Sequence, residues 1–129
     1  MATYQLIAAT GCPTGIAHTY MAQEALEQAA KRKGITIKVE THGQIGIENE
    51  LTPAEIQGAE AVIIAADKDV QAERFAGKRI IDVPVSVGIK EADRLIEEAL
   101  AGKGSIAAEN QAVDELEQEE MLDIVFIKT

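Results

Sequence analysis

Apolar residues along the chain alternate between short continuous runs and stretches in which they recur every three or four positions. The runs at 4–9 and 61–66 predict buried strands, and the run at 79–83 predicts another strand that Pro84 ends. Residues 35–40 alternate between apolar and polar side chains, so they predict an edge strand that is covered on one side only.

The segments between these runs have helical patterns. Apolar spacing predicts a long helix over 16–33 and a second strong helix over 89–101. Thr52 and Pro53 are suited to the N-cap and first position of a short helix, and 67–75 is predicted to hold one or two helical turns. Strands and helices therefore alternate four times, which predicts an α/β fold with a parallel sheet, right-handed crossovers and helices on both faces.

Composition restricts the classes of function. The 129 residues fit one domain, and 47% of them are hydrophobic with few aromatics, so the core is built from aliphatic side chains. A net charge of −10 argues against nucleic-acid binding and against docking on anionic lipid. No apolar run approaches the ~20 residues of a membrane helix. With no signal-peptide pattern at the N-terminus and a single cysteine, we expect a cytoplasmic chain without an internal disulfide.

The last part of the chain has a different character. Residues 103–129 contain seven acidic and two basic side chains. This composition predicts a solvated acidic tail or interdomain linker after a domain that spans 1–102. The apolar run at 124–127 leaves open an alternative, in which the tail adds one more edge strand to the sheet.

The segment most suggestive of chemistry is CPTGIAHT, which follows the first predicted strand and opens the first long helix. Unpaired backbone N–H groups and the positive end of the helix dipole make such a loop an anion cradle. The same environment favours the thiolate of Cys12, which would be a nucleophile. A lone cysteine is more often a small buried apolar residue, but its place at a helix entrance favours a functional role here.

The candidate catalytic residue is therefore Cys12, and no cofactor or metal is predicted. The candidate phosphate-binding residues share its loop and the first helical turn: Pro13, Thr14, Gly15, Ile16, Ala17, His18 and Thr19. His42 is expected to be a loop histidine at the same edge of the sheet, and Asp67 is expected to cap the helix that follows it. A zinc site formed by Cys12, His18 and His42 matches no common ligand spacing.

Three segments together resemble a known family. CPTGIAHTYMAQEAL, VETHGQIG and VIIAAD are similar to the fructose-type IIB component of the bacterial sugar phosphotransferase system, over roughly 3–102. The resemblance implies a four-stranded parallel sheet in the order 2-1-3-4. It implies that Cys12 is phosphorylated by a phosphohistidine of the IIA component. It also implies delivery to fructose or a fructose-like sugar that the membrane component IIC holds.

The same loop also resembles that of low-molecular-weight tyrosine phosphatases, in which an arginine clamps the phosphate. His18 occupies the arginine position, and a weaker clamp suits a carrier that must release its phosphate. Asp67 and Asp69 are candidates for the acid that a hydrolase would need, although nothing in the sequence brings them to Cys12. A phosphatase-like hydrolase and a non-enzymatic phosphate-binding module therefore stay open as alternatives.

Overall fold

The computed structural model describes residues 4–13, 16–43, 46–102 and 104–106. Within these ranges one mixed sheet carries helices on both faces. Numbered along the chain, the strands are β1 Leu6–Gly11, β2 Ile37–Gly43, β3 Gly46–Glu48, β4 Ala61–Ala66, β5 Arg79–Val83 and β6 Ser105–Ile106. The helices are α1 Ile16–Lys33, α2 Pro53–Gly58, α3 Val85–Lys90 and α4 Ala92–Leu100, with a 3₁₀ turn at Ala72–Phe75.

The four longer strands run parallel in the spatial order β2-β1-β4-β5, and a short antiparallel strand pairs with each outer member. Counted among the predicted strands, this order is 2-1-3-4, so the predicted three-layer α/β class is confirmed. Strand β3 lies in a segment predicted as a loop, and β6 lies at the start of the predicted tail. The run at 124–127 lies outside the described residues.

The core has two halves, one on each face of the sheet. Helices α1 and α4 cover one face through aliphatic side chains that include Leu26, Leu95 and Ile96. Helix α2 and the 3₁₀ turn cover the other face, where Phe75 is fully buried. All six residues of β1 are buried, as expected for the central strand of a parallel sheet. The strand that leads to Cys12 is thus held on both faces.

Two predicted elements have different boundaries in the structure. Strand β1 is shifted toward the C-terminus and ends directly before Cys12. The helix predicted over 89–101 is two helices, and Glu91 ends α3 and begins α4 with φ −126° and ψ 35°. Sequence reasoning missed most of α3 because its valines, serine and glycine have low helix propensity. Packing stabilises α3 instead, since Gly88 lies directly against Ala65 of β4.

The start of α2 agrees with the prediction. The backbone N–H of Glu55 donates to the hydroxyl of Thr52, and the backbone N–H of Thr52 donates to the carboxylate of Glu55. This capping box satisfies two N–H groups that the helix leaves unpaired, and Pro53 occupies the first helical position.

Candidate active site at the end of the first strand

Cys12 directly follows β1, and its side chain is half-buried. Pro13 is exposed, Thr14 and Gly15 lie outside the described residues, and α1 begins at Ile16. The end of the central parallel strand and the N-terminus of α1 therefore meet within a few residues of the sulfur. In open α/β sheets this edge, at the carboxyl ends of the strands, is where ligands bind.

The first turn of α1 contains no acidic side chain, so no carboxylate of its own competes for its N-terminus. The last turn carries Lys31, Arg32 and Lys33, which suit the negative end of the dipole. Ala17 is exposed in the first turn. This charge arrangement leaves the N-terminal end suited to an external anion, but the predicted contacts of residues 13–19 with phosphate stay a prediction.

His18 is the side chain that the structure brings to the sulfur. Its Nδ1 atom lies 3.9 Å from Sγ of Cys12, and its side chain is exposed to solvent. A histidine in this position can accept a hydrogen bond from the thiol or donate one to the thiolate, depending on which ring nitrogen carries hydrogen. The structure thus brings the candidate nucleophile and His18 together, while the binding of phosphate by His18 stays a prediction.

Thr19 is fully buried one turn into α1. The hydroxyl of Thr10 donates to the Thr19 carbonyl at 3.2 Å, which ties the end of β1 to the start of α1. The hydroxyl of Thr19 has no hydrogen-bond partner among the residues that the structure describes. In this structure Thr19 contributes its backbone to the joint between the two elements, and its binding of phosphate stays a prediction.

Lys68 lies over Gly11, the residue before Cys12, and sequence reasoning missed it. A Cβ atom on Gly11 would lie 3.0 Å from Cγ of Lys68 and 3.2 Å from Cδ, so the stem of this lysine occupies the space over Gly11. The backbone N–H of Asp67 donates to the Gly11 carbonyl at 2.9 Å, which holds the segment after β4 against the end of β1. A glycine at the end of a buried strand was the available signal of such a close approach.

His42 corrects two expectations. It is not a loop histidine, because it lies in β2 opposite Gly11 and is only 6% exposed. Strand β2 is also not an edge strand covered on one side only, because β3 pairs with its outer side and Glu40, on the polar face, is fully buried. The Glu40 carboxylate contacts Nε2 of His42 at 2.7 Å and accepts hydrogen bonds from two guanidinium nitrogens of Arg74 at 2.7 and 3.0 Å. These partners explain how a charged residue is accommodated inside the sheet.

The protonation of Glu40 follows from the same contacts. Burial is the largest single influence and on its own would raise the pKa of Glu40. Hydrogen bonds from Arg74, from the backbone N–H of Leu51 and from His42 together outweigh burial and hold that pKa below its ordinary value. The carboxylate therefore stays ionised at neutral pH, and the Arg74 guanidinium is its charge partner.

A second contact holds the β2–β3 hairpin next to the site. The hydroxyl of Tyr20, in α1, donates to the carboxylate of Glu48 in β3 at 2.9 Å. The Tyr20 oxygen also lies 2.7 Å from where a Cβ atom on Gly43 would be, so a larger residue at the end of β2 would displace this hydroxyl. The hydrogen bond to Glu48 raises the pKa of Tyr20, with smaller contributions from burial and from the carboxylate charge.

The two candidate acids of the hydrolase alternative are engaged elsewhere. The Asp67 carboxylate accepts a hydrogen bond from the backbone N–H of Val85 at 3.1 Å, so it caps α3 rather than the 3₁₀ turn that directly follows it. The Asp69 carboxylate accepts from the backbone N–H of Gln71 at 2.9 Å. These bonds do not favour either residue as an acid directed at Cys12.

Across the described ranges no group of three or more histidine, cysteine or carboxylate side chains is arranged to bind a metal ion. In the same ranges no helix combines the length and hydropathy that crossing a bilayer requires.

The model of the family described as "PTS system, Lactose/Cellobiose specific IIB subunit" matches residues 7–98. The chain is 53% identical over 93 residues to the fructose-like EIIB component 2 of Escherichia coli K12, which covers 71% of this chain and 88% of that protein. It is 54% identical over 96 residues to the fructose-specific EIIABC component of Bacillus subtilis, which covers 74% of this chain but only 15% of that much longer protein.

A solved structure shows the same fold. A domain of fruA from Bacillus subtilis superimposes with a TM-score of 0.75 at 50% identity, covering 79% of this chain and 98% of that one. The family match, the similar relatives and the shared fold coincide on the part of the chain that contains Cys12. The chain therefore belongs to the IIB family of the phosphotransferase system, in its fructose type.

Proposed function

We propose that this domain accepts a phosphoryl group on Cys12 from a phosphohistidine of IIA and passes it to fructose or a fructose-like sugar bound by IIC. In the first step the thiolate attacks phosphorus, an S–P bond forms and the N–P bond of the donor breaks. In the second step a sugar hydroxyl gives its proton to a base on the IIC side and attacks phosphorus, an O–P bond forms, the S–P bond breaks and Cys12 leaves as thiolate. Sulfur is suited to both steps because it is a good nucleophile and a stable leaving group.

The observation that carries the proposal is the position of Cys12 between the end of β1 and the N-terminus of α1. Backbone N–H groups of the loop would bind the phosphoryl oxygens, as they bind anions at other helix N-termini. Pro13 has no N–H, so the donors come from residues 14–19. His18 would add one ring donor, which supports the thiolate without the fixed double clamp of an arginine.

The partners and the tail belong to the same proposal. The relatives whose names combine EIIA, EIIB and EIIC functions suggest that this domain exchanges phosphate with both other components. In that arrangement the residues after β6, with their excess of acidic side chains, serve as a linker that follows the carrier domain. The chain itself then needs no contact with nucleic acid and no insertion into a membrane.

The test is phosphorylation in vitro. The chain is incubated with phosphorylated IIA domain of the Bacillus subtilis relative, and the phosphoryl adduct is located by mass spectrometry of intact protein and peptides. We expect the adduct on Cys12, and we expect Cys12→Ser to keep the fold but to accept no phosphate. Adduct formation in Cys12→Ser at the wild-type rate would refute the proposal.

His18 is tested in the same assay. We expect His18→Ala to form the adduct more slowly, since the ring that contacts the sulfur is lost. We expect His18→Arg to hold the phosphoryl group longer or to hydrolyse it, because arginine binds phosphate bidentately. Unchanged formation rates and lifetimes in both variants would mean that the backbone cradle acts without His18.

A further inference from the structure

Lys68 is the cation whose stem lies closest to the backbone before the nucleophile. Its Cγ and Cδ atoms occupy the space over Gly11, where a Cβ would approach them to 3.0 and 3.2 Å. Only two bonds separate Cδ from the ammonium nitrogen, so the charge stays near the end of β1. A side chain at residue 11 would crowd this stem, and glycine leaves the space to Lys68.

The ammonium of Lys68 is not engaged by the side chains that the structure describes. It takes part in none of the ion pairs of the described residues, although most other cations do. The neighbouring carboxylates of Asp67 and Asp69 accept hydrogen bonds from the backbone N–H groups of Val85 and Gln71. In a chain with net charge −10, an unpaired cation at this edge of the sheet is available to an anion from outside.

We propose that Lys68 supplies the side-chain positive charge that holds the phosphoryl group at Cys12. The inference rests on the proposed carrier function and adds to it a residue that the loop motif does not contain. A phosphoryl group on sulfur carries up to two negative charges, and α1 offers only backbone dipoles and one exposed histidine in its first turn. Lysine binds such a group as a point charge, which stabilises it without the rigid geometry of arginine.

Two substitutions distinguish the effect of the Lys68 charge from the effect of its aliphatic stem. Lys68→Met keeps an unbranched side chain over Gly11 and removes the charge, while Lys68→Arg keeps the charge. The matched control is Lys31→Met, because Lys31 is also exposed and makes no ion pair among the described residues. Lys31 is in the last turn of α1, about 20 Å from His18 at the usual helical rise, which is beyond the screening length of charges at physiological salt.

The first measurement needs no partner protein. Iodoacetamide, an uncharged reagent, alkylates Cys12, and inorganic phosphate is added as the competing anion. For Lys68→Met we expect alkylation at pH 7 to slow about threefold, the effect of one charge acting through water over about 7 Å. We expect the phosphate concentration that halves alkylation to rise by about the same factor. Both effects should shrink in about 1 M salt. They should be absent in Lys31→Met and in Lys68→Arg, which keeps the charge at position 68.

The second measurement is the lifetime of phosphorylated Cys12 after loading from the phosphorylated IIA domain, which we expect to be shorter in Lys68→Met than in Lys31→Met. Equal phosphate protection in wild type and Lys68→Met would overturn the role of Lys68, whatever happens with the donor. Equal adduct lifetimes in Lys68→Met and Lys31→Met would overturn it too. Failure of wild-type Cys12 to accept phosphate would instead refute the carrier function, so the two failures are distinguishable.

Discussion

Replacing Arg74 by methionine tests the buried charge pair inside the sheet. Arg74 donates to both oxygens of Glu40 at 2.7 and 3.0 Å, and Glu40 is fully buried. Methionine retains much of the aliphatic stem, and among the described residues it leaves the carboxylate with His42 and the Leu51 N–H as partners. Removing one member of a buried pair typically costs about 3–5 kcal/mol, because the other charge stays buried. Arg74 is 20% exposed, so we expect a loss of about 3 kcal/mol at pH 7.

The pH dependence distinguishes a charge effect from lost packing. In the wild type the pKa of Glu40 lies below its ordinary value, so its contribution to stability is present above about pH 4.3, its unfolded value, and is lost as pH falls through the lowered pKa. In Arg74→Met burial is no longer offset by the guanidinium, so the same carboxyl binds its proton more readily when folded. The stability difference between the two proteins should therefore narrow between pH 7 and pH 4.

The assay is urea unfolding followed by circular dichroism at both pH values. The control is Arg94→Met, because Arg94 makes two ion pairs on exposed surface of α4, and such pairs contribute little to stability. We expect the control to unfold near the wild-type urea concentration at both pH values. A loss at pH 7 no larger than that of the control, or a difference that is the same at pH 4, would refute the charge explanation.

Two further substitutions test packing and helix ends by the same urea measurement. Gly88→Ala places a methyl group 2.5 Å from Cβ of Ala65, so we expect the free energy of unfolding to fall by about 1–3 kcal/mol. An unchanged free energy of unfolding would show that α3 can move away from the sheet freely. Thr52→Ala removes the capping box of α2, and we expect a loss of about 1 kcal/mol, whereas Thr52→Asn should recover most of it; equal losses in both would argue against a capping role.

Much of the fold was predictable because its signals are local. Alanines at helical spacing and a glycine with φ +74° at position 34 mark α1, and an uninterrupted apolar run marks β4. The polar pattern of β2 was misleading, because Glu40 resembles a solvent-facing residue until Arg74 is seen beside it. That partner is 34 positions away, so no local pattern indicates the pair.

The candidate site also contains residues that a local motif predicts and one residue that only the three-dimensional structure reveals. Cys12 and His18 lie in one contiguous loop motif, and the structure brings them within 3.9 Å. Lys68 could not be assigned to the site from its own surroundings in sequence, because its approach to Gly11 depends on β1 and β4 being neighbours in the sheet. Long-range pairing of strands thus adds a charge to a site whose other groups are adjacent in the chain.

The hydrogen bond between Tyr20 and Glu48 makes tyrosine fluorescence a reporter of the β2–β3 hairpin next to the site. The chain has two tyrosines and no tryptophan, so Tyr4 and Tyr20 are its only strong ultraviolet fluorophores. A carboxylate bonded to a phenol quenches its emission, and the raised pKa of Tyr20 separates its absorbance change at high pH from that of a free tyrosine. Opening of the β2–β3 hairpin would therefore increase the fluorescence intensity of Tyr20. Stopped-flow fluorimetry could follow this increase without any attached label.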